Sequence, residues 1–150
     1  MLVNEVAVEV LVVDDEVYIA EEILETLEAL QLTGHVSNGV DAALSILERH
    51  PNIRVVITDL KMPQKTGVDL IKLANKRWPN RLRYIVMSGH IQVPDLISLP
   101  EESVDGWRDM PGVSAFLRKP IAIREIENKV QTTIECLSKD LQLSEISSKA

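Results

Sequence analysis

Four short clusters in this 150-residue chain carry side chains able to do chemistry: Asp14-Asp15-Glu16, Asp59, Ser88-Gly89 and Lys119-Pro120. If they met in one pocket, three carboxylates would repel each other and raise one another's pKa unless a cation neutralised them. A divalent ion is the simplest remedy. Carboxylate oxygens, a carbonyl and water suit hard Mg²⁺, whose coordination is commonly completed by phosphate oxygens rather than by an all-protein cage. Such a pocket expects a phosphoryl group. Asp59 would then act as a nucleophile toward a phosphoryl donor, Lys119 and the metal would stabilise the charge that develops, and Ser88 would donate a hydrogen bond to the attached group.

Taken singly, each cluster has a plainer explanation. Asp14-Asp15 could be an acidic pair at a helix start, Asp59 a turn cap, Ser88-Gly89 an ordinary loop and Lys119 a solvated charge. What joins them is the order of elements. Short β-branched runs alternate with stretches whose apolar residues recur every three or four positions. Strands are expected at Ala7–Val13, Gly34–Ser37, Ile53–Thr58, Arg83–Met87 and Gly112–Leu117. Helical stripes are expected through Ile19, Ile23, Leu24, Leu27 and Leu30, from Val40 to Leu47, through Val68, Leu70, Ile71, Leu73 and Ala74, and through Ile123, Ile126, Val130, Ile134 and Leu137. Five strands alternating with about five helices specify a doubly wound α/β domain, a parallel sheet with helices on both faces. All strands of such a sheet end at one edge, so the clusters after the first, third, fourth and fifth strands converge there.

The length suits one domain. We expect residues 1–137 to form it and 138–150, which are polar and lack a strong stripe, to be a frayed extension or the start of a linker. Sixteen Lys+Arg against 23 Asp+Glu give a net charge of −7, which opposes direct nucleic-acid binding or attraction to an anionic membrane. The single cysteine, Cys136, cannot form an internal disulfide, and no zinc-type Cys/His spacing occurs. Without a signal-peptide pattern or an apolar run near 20 residues, a cytoplasmic location is expected.

From about Val6 to about Leu137 the chain resembles the receiver domain of bacterial two-component response regulators, the chemotaxis-Y-like superfamily. The pieces that match are LVVDDE at 11–16, DLKMPQKTG at 59–67, SGH at 88–90 and FLRKP at 116–120. The resemblance implies a flavodoxin-like strand order 2-1-3-4-5. It further implies that Asp59 accepts a phosphoryl group from a phosphohistidine on a sensor histidine kinase or a histidine phosphotransfer protein. Asp14 and Asp15 would hold Mg²⁺ together with Asp59, Asp15 as the more direct ligand of the pair, and the Lys61 backbone carbonyl would complete the protein's share. Ser88 corresponds to the switch hydroxyl, Lys119 to the invariant lysine and Phe116 to the switch aromatic, although a lone phenylalanine on a buried strand is equally a core residue. Gly67 either allows tight backbone geometry after the Asp59 loop or is a plain turn glycine. A cis Lys119-Pro120 bond, as in the family, would aim Lys119 into the site, against the general preference for trans.

Lys61 and His90 sit where they could tune the lifetime of the acyl phosphate. The family's usual output face, made by the fourth helix, fifth strand and fifth helix, implies an unidentified downstream protein or a homodimer as partner. That face is where the chain departs from the pattern. The stretch between Ser88 and Lys119 is several residues longer than usual and carries Pro94, Pro100 and Pro111, so we expect a longer loop and a short helix near Pro100 to Asp109, with Glu101 and Glu102 in its first turn and Trp107 either packed inward or facing a partner. Two rival functions are a phosphorylation-independent docking or dimerisation module on the same fold and a Mg²⁺-dependent phosphatase. Against the second, Asp14-Asp15 is contiguous and the acceptor candidate follows the third strand rather than the first.

Overall fold

The computed structural model describes residues 8–89 and 110–149. Five strands and four helices alternate through them: β1 (Glu9–Val13), α1 (Val17–Ala29), β2 (Thr33–Ser37), α2 (Val40–Arg49), β3 (Ile53–Asp59), α3 (Gly67–Arg77), β4 (Arg83–Ser88), β5 (Val113–Arg118) and α4 (Ile123–Lys149). The strands form one parallel sheet in the order β2-β1-β3-β4-β5, as expected for a doubly wound domain. Burial follows position in that order. The central strands β1, β3 and β4 are almost wholly buried, whereas β2 and β5 at the edges are mostly half-buried or exposed.

Side chains point alternately to the two faces of a strand, so each face builds its own apolar layer. Leu11, Val13, Val56, Tyr84 and Val86 pack with Ala43, Leu47, Leu70 and Ile71 of α2 and α3. Val10, Val12, Val55, Ile57, Ile85 and Met87 pack on the other side with Ala20, Ile23 and Leu27 of α1 and Ile126 and Val130 of α4. The helical stripes read from the sequence thus supply the two outer layers. Among the described residues no helix is long and apolar enough to cross a membrane.

Local chemistry sets the ends of elements. Thr66 caps α3 by accepting from the Asp69 amide, while the Asp69 carboxylate accepts from the Thr66 amide, a reciprocal box that satisfies two helix-end donors. Gly112 has φ +89°, the left-handed region that favours glycine, and a Cβ there would press on the Leu82 carbonyl oxygen. It therefore belongs to the turn before β5, which starts at Val113 rather than at Gly112. β3, β4 and β5 each run one residue further than the apolar runs suggest, since a parallel ladder continues as long as backbone partners exist, whatever the side chain. Residues 138–149 continue α4 as a helical extension; polar side chains are no obstacle to a helix propagated from a packed stem. The expected helix near residues 100–109, with Glu101, Glu102 and Trp107, lies outside the described residues, as do Pro94 and Pro100. The helix counted fifth in the resemblance is α4.

Candidate functional site

The C-terminal ends of β1, β3, β4 and β5 meet at one edge through the register of the sheet. Val13 is level with Thr58, Asp59 with Met87, and Ser88 with Arg118, so residues 14, 59, 88 and 119 emerge side by side. The backbone joins these ends directly. The Leu60 amide donates to Met87 O (2.9 Å), the Lys119 amide to Ser88 O (2.9 Å) and the Asp14 amide to Ser37 O (3.1 Å).

Lys119 is the centre of the cluster. Its Nζ donates to Asp14 Oδ2 at 2.7 Å and to Asp59 Oδ2 at 2.9 Å, linking side chains 105 and 60 residues away along the chain. The Lys119-Pro120 peptide bond is cis. Asp14 is fully buried, and its second oxygen accepts from the Glu16 amide (3.0 Å); Asp15 is exposed at the rim. Asp59 is 7% exposed, and its Oδ1 accepts from the Lys61 amide (3.2 Å). Oxygens of Asp14, Asp15 and Asp59 lie within 4.8 Å of one another. Three carboxylates face one ammonium, which leaves about two negative charges for a divalent cation to neutralise, and an all-oxygen set of this kind suits Mg²⁺.

The titration of the cluster reflects the same imbalance. Burial pushes the Asp59 carboxyl above its ordinary range, and the nearby Asp14 charge adds to this, outweighing the hydrogen bond and charge of Lys119. For Lys119, burial pulls downward, but its hydrogen bonds to Asp14 and Asp59 and their two charges together raise its pKa.

Gly67 has a definite reason to be glycine. Its amide donates to Leu60 O (3.0 Å), and a Cβ would run into the Asp59 carbonyl oxygen, so the start of α3 is pressed against the Asp59 loop. Ser88 is buried at the end of β4. Phe116 is half-buried on β5, level with Val86, and packs on the α2/α3 layer; Ser88 lies two residues beyond Val86 on the same face of β4. Lys61 is exposed beside Asp59, and His90 lies outside the described residues. A cavity of about 1010 Å³ opens from Asp15, Asp59, Lys61 and Lys119 and continues along α1 past Ile19 and Ile23. Sequence reasoning missed this groove, because its walls are ordinary helix-stripe residues that only the packing of α1 beside the Pro120–Ile126 segment brings opposite each other.

The comparisons with known proteins agree with this geometry. The family model described as the response regulator receiver domain matches residues 10–131. Over 126 residues the chain is 32% identical to the hydrogenase transcriptional regulatory protein HoxA of Cupriavidus necator, which covers 84% of this chain and 24% of that protein. The chain spans about a quarter of the length of the HoxA proteins it matches. Among solved structures, a response regulator receiver protein from Pseudomonas putida superposes with a TM-score of 0.69 at 28% identity, over 83% of this chain and 95% of that one. A receiver domain protein from Clostridium thermocellum gives 0.71 at 27% identity, over 90% and 98%. Matched across most of its length, with the sheet order of these relatives and an acidic pocket at the expected strand ends, the chain belongs to the response regulator receiver domain family of two-component systems.

Proposed function

We propose that this chain is a phosphorylation-operated switch in which Asp59 accepts a phosphoryl group from a phosphohistidine of a sensor histidine kinase or a histidine phosphotransfer protein. Receiver domains in general are signalling switches that interact with sensor kinases and downstream effectors and bind Mg²⁺ at an acidic pocket. The observation that carries the reading here is the bridge from Lys119 Nζ to both Asp14 and Asp59, with Asp15 beside it.

In the transfer, an Asp59 carboxylate oxygen forms a bond to phosphorus as the phosphorus–nitrogen bond of the donor breaks, and the imidazole leaves with the bonding electrons. Asp14, Asp15, Asp59 and the Lys61 carbonyl would hold Mg²⁺, which when bound neutralises charge on the phosphoryl oxygens. Lys119 contributes a fixed positive charge and a donor, already held at the acceptor carboxylate, so little reorganisation is needed. The phosphoryl group carries roughly −1.5 to −2 charges where the Asp59 carboxylate carried one, and its oxygens draw the Ser88 hydroxyl and Lys119 toward it. Because Phe116 flanks the Ser88 end of β4, a shift of Ser88 changes the room available to that ring and so the surface around β5 and α4. A downstream protein or a second copy of the chain would read that surface. Lys61 and His90 tune the lifetime of the acyl phosphate, and the chain acts on itself rather than turning over an external substrate, in the cytoplasm.

The test is to incubate the protein with Mg²⁺ and a small-molecule phosphoryl donor and to map the product by mass spectrometry. A hydroxylamine-labile adduct on Asp59, abolished by Asp59→Asn, is expected. No adduct would point to a docking module, and sustained hydrolysis of an external phosphoester to a phosphatase.

A further inference from the structure

A second cluster of metal-ligating side chains lies at the opposite end of the sheet and plays no part in phosphoryl chemistry. Glu9 opens β1, His35 lies on the neighbouring edge strand β2, and His50 follows the last turn of α2. Their ligand atoms, one carboxylate oxygen and two imidazole nitrogens, lie within 4.8 Å of one another. His35 Nε2 is 2.7 Å from Glu9 Oε1, and the His35 and His50 rings are 4.2 Å apart with a 30° tilt. Five residue steps along β1 separate Glu9 from Asp14, about 16 Å at ~3.3 Å per residue, while His35, level with Leu11, lies about 10 Å back from the Asp14 end.

Three features make the arrangement more than a chance meeting. First, the faces agree: Glu9 shares its face of β1 with Leu11 and Val13, the face covered by α2, and His50 sits where α2 ends. Second, the His50 backbone is held on every side, its amide donating to Ile46 O (3.0 Å) and its carbonyl accepting from the Ile53 amide (3.1 Å) and Arg81 Nη2 (2.8 Å). The ring is thereby presented from a fixed backbone, as a ligand must be. Third, the cluster is half-buried rather than sealed: the side chains of His35 and Glu9 keep 25% and 19% of their exposure, enough for an ion to reach them.

We infer that Glu9, His35 and His50 form a binding site for a divalent transition metal of the zinc class. Two imidazoles and one carboxylate form a borderline donor set that suits Zn²⁺, Co²⁺ or Ni²⁺ far better than Mg²⁺, with water filling the remaining position. The metal takes the place of the direct contact between His35 Nε2 and Glu9 Oε1. Ligands on tetrahedral zinc stand about 3.3 Å apart, so that 2.7 Å contact opens by roughly half an ångström on loading. Bound metal would tie the edge strand and the end of α2 to β1.

The site is tested by titrating the full chain, with saturating Mg²⁺ present, with Zn²⁺ in a calorimeter and following the imidazole resonances by NMR. The wild-type protein should show the His35 and His50 imidazole signals shifting together with one bound Zn²⁺, while those of His90 stay in place. In Asp15→Asn, which weakens the carboxylate pocket, that binding event should persist. His35→Gln and His50→Gln should each weaken it at least tenfold. Unmoved His35 and His50 signals in the wild-type protein, or loss of the event in Asp15→Asn, would overturn the site; the wild-type NMR reading decides even if a histidine variant fails to fold.

Discussion

Gly67 lies so close to Asp59 that a Cβ atom on it would strike the Asp59 carbonyl oxygen. The first residue of α3 and the candidate phosphoacceptor are therefore one mechanical unit. Gly67→Ala must push the Asp59–Leu60 backbone or the helix start aside, a form of overpacking that costs about 1–3 kcal/mol. Chemical denaturation should show that loss, and Asp59 phosphorylation from a small-molecule donor should slow as well. A variant with wild-type stability would mean that the two backbones have more room than their geometry gives.

The raised pKa of Asp59 has a sign that can be measured. A carboxyl whose folded pKa lies above its ordinary 3.8 stabilises the fold below that value, and the contribution is lost as pH rises through the folded pKa. In EDTA at neutral pH, Asp59→Asn should accordingly be more stable than the parent, and the two should converge on acidification toward the ordinary carboxylate range. Denaturant titrations across that range provide the check. An Asn variant less stable at pH 7 would show that the Lys119 contact outweighs burial.

Magnesium should reverse that ranking. An ion that binds only the folded state stabilises it by about 2.7 kcal/mol at a hundred times its dissociation constant. The parent protein should gain in Tm with added Mg²⁺, Asp15→Asn and Asp59→Asn much less.

Lys119→Ala removes the only cation seen between Asp14 and Asp59 among the described residues. Phosphorylation of Asp59 should fall by about 10²–10³-fold, the usual loss for one preorganised donor. Stability should respond at alkaline pH too. A lysine with a raised folded pKa contributes fully below its ordinary 10.5 and loses that contribution above it, so the parent should weaken more steeply than the Ala variant as pH climbs past that point.

The reciprocal cap at Thr66 and Asp69 offers a control away from the chemistry. Thr66→Ala should cost about 1 kcal/mol. Asp59 phosphorylation should stay within twofold of the parent if the cap supports only the helix, which a labelling time course would read.

Much of this protein is determined by local sequence. Apolar runs such as Val10–Val13 and Val55–Ile57, separated by stripes of helical period, are enough to specify a parallel sheet between helix layers, because burial on one face or two leaves few other ways to satisfy both backbone and side chains. The doubly wound class, together with the rule that strand ends share an edge, is sufficient to expect Asp14, Asp15, Asp59, Ser88 and Lys119 at one edge of the sheet. Tertiary structure alone decided the rest. That Lys119 Nζ touches Asp14 and Asp59 at once, that Gly67 stands against the Asp59 carbonyl, and that Glu9, His35 and His50 meet all depend on contacts between elements far apart in the chain, which no periodicity encodes. The same holds for Gly112, where a Cβ would meet the Leu82 carbonyl oxygen opposite it. Hydrophobic pattern is a property of neighbours in sequence, whereas hydrogen bonds between side chains belong to neighbours in space, and only the folded chain makes the second kind.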